Sequence, residues 1–376
     1  MNNQSIGENN RLYWLDTIKG ISCWVVFLGH FRIIHTYIPL ISEFADPKDY
    51  LSFIYNETVA LNVFYVVSAF FAARAFMNAD TDFRKRAGSS IIKRYFRLSI
   101  PVFISEFLIF IFQNIGFWSD GFDRSPARKI NFFEIVYDSF FKSPFYGSDS
   151  VNLVFWMIFI LFWGHVVVIV ECAIVSSIQK KYRYIFLVAL LLILSLVKND
   201  FAPFTFGLFL YLVYTDLYAD GGTEKKKNIP RYIIGGFLIL AGSYFSGQDG
   251  QIAYLFIKNG YTGFSTESYA YCWVAAFLIL LGIVLCTPVM RILDNKRISA
   301  LGKICFPVYL FHLVCILSFG AFAYDRVTEI QGMAVHATKA SLLVSFIATV
   351  LISVIYVKYI EPEVNKLTAA IVKKIT

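Results

Sequence analysis

Long apolar runs separated by short polar segments make up most of this chain. A helix needs about 20 apolar residues to cross a bilayer, and most of these runs approach or exceed that length. Their apolar residues fill whole runs instead of one helical stripe, which is typical of membrane helices. We therefore predict an all-α polytopic membrane protein of about ten transmembrane helices. The predicted spans are Ile18–Leu40, Leu51–Met77, Tyr95–Phe117, Val151–Val175, Tyr184–Val197, Phe201–Tyr218, Tyr232–Ser246, Tyr269–Met290, Ile304–Tyr324 and Ala340–Ile360.

Basic residues are concentrated in alternate segments between the predicted spans. If the N-terminus lies in the cytoplasm, the inner segments contain 24 of the 34 lysine and arginine residues, as the positive-inside rule requires. An even number of spans puts the C-terminus on the same side, so we predict that both termini are cytoplasmic. The longest predicted outer loop is Trp118–Ser150. We expect one integral membrane domain over residues 1–376, with a short polar cytoplasmic lead at residues 1–12.

The composition supports a multi-pass protein of the plasma membrane. The 376 residues are 57% hydrophobic and 18% aromatic. Only 16% are charged, whereas soluble domains average about a quarter. The net charge of +8 is spread over alternate loops, which argues against nucleic acid as a partner. All six cysteines fall within apolar runs without the spacing of a zinc site or a loop disulfide, so we predict no metal.

The first apolar run carries a lysine and a histidine on one helix face. Lys19 and His30 are eleven residues apart, which is about three helical turns and about 16 Å along the axis. Such groups are costly in a membrane helix unless they have partners or a task. Imidazole titrates closest to neutral pH, so His30 is a candidate general base or carrier of a transferred group. The alternative is a buried histidine that is hydrogen-bonded to a neighbouring helix.

Cations near the predicted inner surface are candidates for binding an anion. Asp16 precedes Lys19 by three residues, which indicates either an N-cap with a local ion pair or a charge that helps to hold an anionic ligand. Arg94 and Arg97 share a helix face. They are either positive-inside boundary residues or phosphate ligands, because Arg97 lies within the apolar run and a guanidinium there suits bidentate contact.

Three further polar residues lie within apolar runs. Ser68 is at the centre of a run whose small residues favour close helix packing. Tyr309 and His312 are three residues apart and share a face, where packing with a satisfied hydrogen bond is the default interpretation. We retain all three as candidate site residues. His165 has no acidic neighbour at helical spacing, and we interpret it as structural.

Five segments, in chain order, resemble motifs of the acyltransferase-3 family of integral membrane acyltransferases. LDTIKG followed by His30 resembles an arginine, ten residues and the catalytic histidine; FYVVSAF resembles F-F-x-x-S-G-F; and RYFR resembles R-x-x-R. FPVYLFH resembles the late S-x-Y-L-x-H, and YIEPEVNKL resembles a segment of the last helix. The chain departs from these motifs at Lys19, which replaces arginine and loses its bidentate fork, and at Ala69, which replaces glycine. Leu161 stands where many members have a glutamate.

The resemblance implies transfer of an acyl group, with acetyl expected, to a hydroxyl of a glycan, polysaccharide or glycolipid acceptor. The donor would be cytoplasmic acetyl-CoA or another acyl-CoA, and membrane lipid would surround the protein. Lys19, Arg94 and Arg97 would then bind the donor phosphates, and His30 would be catalytic. The residues leave open whether His30 accepts the acyl group or deprotonates the acceptor.

Two other functions remain open at this point. Buried charged residues and histidines also occur in transporters and flippases. Transporters often contain paired half-sequences with broken helices at matching places, and we find no such pairing here. The second alternative is a family member that has kept the fold and lost catalysis. Retention of His30 argues against it, whereas Lys19 leaves it open.

Overall fold

Every regular element is a helix in the part of the chain that the structure describes. The structure is a computed structural model, which describes residues 11–36, 56–77, 82–119, 129–148, 150–196, 200–218, 228–247, 270–331 and 334–375. This confirms the all-α prediction. The helices are α1 (Tyr13–Thr36), α2 (Glu57–Met77), α3 (Phe83–Asn114), α4 (Phe132–Tyr137), α5 (Ser143–Tyr146), α6 (Trp156–Ser177), α7 (Lys180–Leu196), α8 (Ala202–Leu217), α9 (Ile229–Gly247), α10 (Ala270–Leu285), α11 (Thr287–Leu293), α12 (Cys305–Cys315), α13 (Ala321–Gln331), α14 (Ala334–Ile355) and α15 (Glu361–Ile375).

Short segments of other helical types connect some of these helices. A 3₁₀ turn at Ile298–Lys303 precedes α12. π-Helical segments make three of the connections continuous, so that pairs of helices form longer units. These segments are Asp138–Lys142 between α4 and α5, Ile316–Gly320 between α12 and α13, and Tyr356–Ile360 between α14 and α15.

Six helical units among the described residues are long and apolar enough to cross a membrane. A seventh is possible if α10 and α11, which are bent by 99° at their junction, form one broken span. The structure therefore has six or seven candidate membrane spans. The six are Tyr13–Ile34, Glu57–Met77, Phe83–Asn114, Trp156–Ser177, Cys305–Ile330 and His336–Ile375.

The observed helices lie at the predicted positions along the chain, but some of them are shorter than a membrane span. Each of the ten predicted apolar runs coincides with a helix. However, α7 and α8 have only 17 and 16 residues, or about 25 Å, which is less than the roughly 30 Å of hydrocarbon in a bilayer. The first helix begins earlier than predicted. Residues 37–40, 51–55, 197 and 269 of the predicted spans lie outside the described residues.

The helix α3 begins at Phe83, twelve residues before the predicted span Tyr95–Phe117. The side chain of Asp82 caps it by accepting a hydrogen bond from the backbone nitrogen of Arg84 at 3.0 Å. Arginine, lysine and alanine, which are strong helix formers, follow the cap, so that the helix extends through a basic turn before the apolar residues begin. This extension places Ser90 and Arg94 within one continuous helix.

Two close approaches of the backbone bring the polar helix ends together. At Gly302 in the 3₁₀ turn, an added Cβ would lie 2.2 Å from the carbonyl oxygen of Asp16, so only glycine permits this contact with α1. At Gly207 in α8, a Cβ would lie 2.3 Å from the Cβ of Ala69 in α2. Small residues allow such approach between membrane helices. The first contact sets the first turn of α1 beside Lys303.

The predicted outer loop Trp118–Ser150 contains ordered helical structure. Residues 132–146 form α4, a π-helical segment and α5 in unbroken sequence. They pack along α3, with Phe132 against Phe103 and Phe107. This segment is therefore part of the helical bundle.

Candidate active site

A cavity of about 800 Å³ extends from several helix ends into the bundle. Its walls are formed by α1, α2, α3, α6 and α12, together with the 3₁₀ turn and the junction of α14 with α15. Lys303 lies just before α12, whereas Tyr309 is the fifth residue of that helix, about 6 Å further along its axis. Six of the eight predicted site residues line this cavity: Asp16, Lys19, Ser68, Arg94, Arg97 and Tyr309. The other two are His30 and His312.

The α3 wall of the cavity carries a polar stripe. Ser90, Lys93, Arg94 and Arg97 all line it, at the i, i+3, i+4 and i+7 positions that share one helix face. The stripe extends about 10 Å along the helix axis. Because phosphate groups bind well to guanidinium groups, a stripe of this length can hold more than one of them.

Arg94 is the most constrained cation in this stripe. Its Nη2 donates to Ser68 Oγ at 3.0 Å and, over a longer distance of 3.4 Å, to the carbonyl oxygen of Leu161. Its Nε is buried without a hydrogen-bond partner in the described part of the chain. Neither Arg94 nor Arg97 forms an ion pair with a carboxylate of the described residues. Both guanidinium groups can therefore bind an anionic ligand.

The cations of the α1 wall are held differently. Asp16 Oδ2 is 2.8 Å from Arg11 Nη2, and Asp16 Oδ1 is 2.7 Å from Lys19 Nζ. The predicted ion pair is thus confirmed. The N-cap interpretation is wrong, because α1 begins at Tyr13 and Asp16 lies within its first turn. Lys19 also lies 5.2 Å from the ring centre of Phe71. Asp16 partly neutralises Lys19, in contrast to the two arginines.

Beyond the cavity, three polar rings follow one another into the bundle. The hydroxyl of Tyr309 donates to the carbonyl oxygen of Val154. The ring centres of Tyr309 and His312 are 5.7 Å apart, and those of His312 and His30 are 5.0 Å apart. The tertiary fold therefore brings His30 next to His312, and Tyr309 stands between this pair and the cavity.

Both histidines are oriented by backbone carbonyl groups. Nδ1 of His30 is 3.0 Å from the carbonyl oxygen of Val26, and Nδ1 of His312 is 2.7 Å from that of Tyr309. A carbonyl oxygen can only accept, so Nδ1 carries the proton in each neutral ring and Nε2 has the free lone pair. Nε2 of His312 is buried and lacks a partner among the described residues. A lone pair that is not engaged in a hydrogen bond is what a general base or a nucleophile needs.

The sequence interpretation missed a second polar pair in the cavity. Ser90 Oγ and His165 Nε2 are 2.8 Å apart, and both residues line the cavity wall. His165 was predicted to be structural because its own helix offers no partner, but its partner is on α3. The one available signal was the position of Ser90, four residues before Arg94 and thus on the same face. Arg11, Lys93, Lys303 and Glu361 also line the cavity.

The tyrosine hydroxyls near the cavity offer a matched test of this geometry. Tyr309→Phe leaves the Val154 carbonyl without its donor, so we expect the free energy of unfolding to fall by about 1–3 kcal/mol. Tyr65, which is similarly buried, has a hydroxyl without a partner among the described residues. Tyr65→Phe should therefore be neutral or stabilising. Thermal unfolding of the purified variants in one detergent measures both changes.

Equal loss of stability in the two variants would contradict the assigned hydrogen bond. In that case the side chain of Tyr309 would stabilise the protein through packing alone. No hydrogen bond would then hold its hydroxyl at the end of the cavity. Unchanged stability in Tyr309→Phe would contradict it as well, because a buried carbonyl that loses its donor is destabilising.

Comparison with known proteins identifies the chain's family. A family model described as an acyltransferase domain, the acyltransferase-3 model, matches residues 12–358, which is nearly the whole chain. No curated protein and no solved structure matches the chain significantly. The match confirms the resemblance that the five sequence motifs indicate. The chain therefore belongs to the acyltransferase-3 family of membrane acyltransferases.

Proposed function

We propose that this protein transfers an acyl group, with acetyl expected, from cytoplasmic acyl-CoA to a hydroxyl of a glycan, polysaccharide or glycolipid. Membership of the acyltransferase-3 family supports acyl transfer as the reaction. The observation that carries the choice of donor is the pair Arg94 and Arg97, which face a large cavity and have no carboxylate partner among the described residues. A phosphate-rich donor supplies the missing anions.

The donor would lie along the polar stripe of α3. Arg94 and Arg97 would bind its phosphates, while Lys19 would add a weaker positive field because Asp16 already pairs with it. The thioester end would point towards Tyr309, beyond which the rings of His312 and His30 follow. Transfer requires the side chain of Tyr309 to open a passage to His30.

His30 would then use the lone pair on Nε2. As a general base it takes the proton of the acceptor hydroxyl, whose oxygen bonds to the thioester carbonyl carbon. The carbon–sulfur bond breaks, and the departing thiolate of CoA receives the proton from the imidazolium. In the covalent alternative, Nε2 attacks the thioester carbonyl carbon, and the carbon–sulfur bond breaks to release the thiolate of CoA. The acceptor oxygen then bonds to the acyl carbon, the carbon–nitrogen bond to Nε2 breaks, and the hydroxyl proton passes to the thiolate. Both routes need the same orientation of the ring.

The proposed topology has ten spans in the plasma membrane and both termini in the cytoplasm. Its support is the distribution of basic residues, 24 of 34 of which fall on one side. This orientation also turns the cavity end that carries Arg11 and Lys303 towards the cytoplasmic acyl-CoA.

Cysteine labelling with a membrane-impermeant reagent tests this topology. Single cysteines at Lys181, Lys374 and Lys129 occupy exposed positions. The native cysteines are all buried, so their background reaction should be low. We expect labelling of the Lys129 position in intact cells, and labelling of the other two only after the membrane is permeabilised. The opposite pattern would reverse the proposed orientation.

Titration of CoA into purified variants tests the donor site. Arg97→Gln should weaken CoA binding about ten- to a hundred-fold, which corresponds to a lost charged hydrogen bond of roughly 1.5–3 kcal/mol. Lys19→Gln should weaken it less, because Asp16 already pairs with Lys19. Lys19→Arg should bind CoA as the parent does, since the charge is kept.

Arg326→Gln is the control for this titration, because Arg326 is an exposed arginine outside the cavity that pairs with Glu329. It should leave CoA affinity unchanged. If Arg97→Gln and Arg94→Gln bind CoA as tightly as the parent, the arginines are only positive-inside residues, and the donor site must be elsewhere.

The catalytic role of His30 is tested by acyl transfer in cells. His30→Ala should abolish acylation while the protein still inserts and still binds CoA, because the residue lies outside the donor cavity. His336→Ala, which changes an exposed histidine of α14, should retain full activity. Mass spectrometry of the surface glycans, compared with cells that lack the protein, detects one added acyl group.

Two outcomes would contradict the proposal. Near-normal acylation by well-expressed His30→Ala protein would exclude a catalytic role for this residue. The absence of any acyl mass difference with the parent protein would favour the transporter or the catalytically degenerate alternative.

A further inference from the structure

Residues 132–146 expose a stripe of aromatic side chains. Phe133, Tyr137, Phe141 and Phe145 follow one another at four-residue spacing, with exposed fractions of 83%, 54%, 52% and 37%. Residues at this spacing lie on one helix face. The stripe itself contains no charged side chain.

The opposite face of the same segment is polar and buried. Ser139 donates to Glu106 Oε2 of α3 at 2.6 Å, and Ser143 donates to Asp138 Oδ2 at 3.0 Å. Asp138, Ser139 and Ser143 are at most 1% exposed. A surface helix in water has the reverse arrangement, with its apolar face inside and its polar face outside. An outward aromatic face over an inward polar face is the pattern expected where hydrocarbon is the solvent.

The segment runs antiparallel to α3 along the apolar part of that helix. At one end, the backbone nitrogen of Ile130 donates to Gln113 Oε1 at 3.2 Å. Towards the other end, the hydroxyl of Tyr95 donates to the carbonyl oxygen of Phe140 at 2.7 Å. The ring of Phe145 packs against Tyr95 as well. The 15 residues therefore descend about 22 Å along α3.

The lower end of the segment reaches the middle of a membrane-spanning helix. Tyr95 adjoins Arg94, which donates to Ser68 Oγ. Ser68 is the twelfth of the 21 residues of α2, a candidate span about 31 Å long. The contacts of Phe140 and Phe145 with Tyr95 thus lie near the level of the bilayer centre.

The chain turns back at this depth. Gly147 has φ of +72°, a conformation that suits glycine, and it directly follows α5. Ser148 and Ser150 then return to the helix, where they donate to Asp138 Oδ1 at 2.5 and 2.7 Å. Hydroxyl groups from both sides of the turn therefore satisfy one buried carboxylate. Asp138, Ser143 and Ser148 are buried at this turn, whereas Ser150 is exposed and its hydroxyl lies 3.5 Å from Lys142 Nζ. The buried carboxylate therefore finds its hydrogen-bond donors within the protein, as a bilayer requires.

We propose that residues 132–146 form a re-entrant membrane helix whose aromatic stripe contacts the acyl chains of the bilayer. The helix enters the membrane beside α3, reaches about its centre and reverses at Gly147. Phe103 and Phe107 of α3, which is a candidate span, pack against Phe132 at its start, so its aromatic surface continues that of a spanning helix. This assignment does not depend on the acyl-transfer proposal.

Nitroxide labels on the purified full-length chain in phosphatidylcholine vesicles test the assignment. Single cysteines at Phe133, Tyr137, Phe141 and Phe145 are labelled, and collision with oxygen and with a water-soluble nickel chelate is measured. Leu351→Cys, at an exposed apolar position in a candidate span, is the lipid reference, and Lys374→Cys is the water reference. We expect the labels at 141 and 145 to match the lipid reference, with the label at 141 about 12 Å deeper than that at 133.

Equal depth at all four positions would overturn the proposal, because the helix would then lie flat at the interface. Collision with the nickel chelate equal to that of Lys374→Cys at all positions would also overturn it, because the face would then be in water. If one of the four variants fails to fold, the depth gradient can still be measured from the other three.

Discussion

The absence of water in the bilayer core is the constraint on which this structure depends, because each buried polar group must find its partner within the protein. Ser105 donates to the carbonyl oxygen of Leu310 at 2.8 Å, and Thr205 donates to Glu171. The hydroxyl of Tyr309 donates to the carbonyl oxygen of Val154. Each bond joins elements distant in sequence, so the polar residues fix which helices are neighbours while the apolar residues supply contact area.

Two groups that depart from this rule belong to the candidate active site. Arg94 Nε and His312 Nε2 are buried without partners among the described residues. An unsatisfied polar group costs free energy, and such groups persist where a ligand or a reaction uses them. Asp16 shows the contrasting arrangement, since it pairs with both Arg11 and Lys19. The site therefore combines an ion-pair cluster of Arg11, Asp16 and Lys19 with two arginines on α3 that lack a carboxylate partner among the described residues.

The same constraint accounts for the segment between α3 and α6. Its buried carboxylate, Asp138, accepts hydrogen bonds from three serines, and the turn at Gly147 brings two of them back to it. The returning chain then supplies the carbonyl of Val154 to Tyr309. The chain that follows this segment thus also positions Tyr309, the residue at the end of the cavity.

The sequence alone determined the helical runs and the residues that share a face within one helix. Apolar run length predicted the ten helices, and three-residue spacing predicted that Arg94 and Arg97 act together and that Asp16 pairs with Lys19. These relations are local, because they depend only on helical periodicity. The count of ten spans stays a prediction, because the described residues contain six or seven candidate spans and periodicity does not fix how far each run stays helical.

The tertiary structure decided everything that joins one helix to another. It placed His165 against Ser90, 75 positions away, and His312 beside His30. It put Tyr309 between the cavity and those histidines. Among the residues that the structure describes, it gave Lys19 a carboxylate partner, Asp16, and gave the two arginines none. Sequence spacing carries no information on such contacts, because they depend on which helices pack together and at which level, and that is set by close approaches such as Gly302 against Asp16.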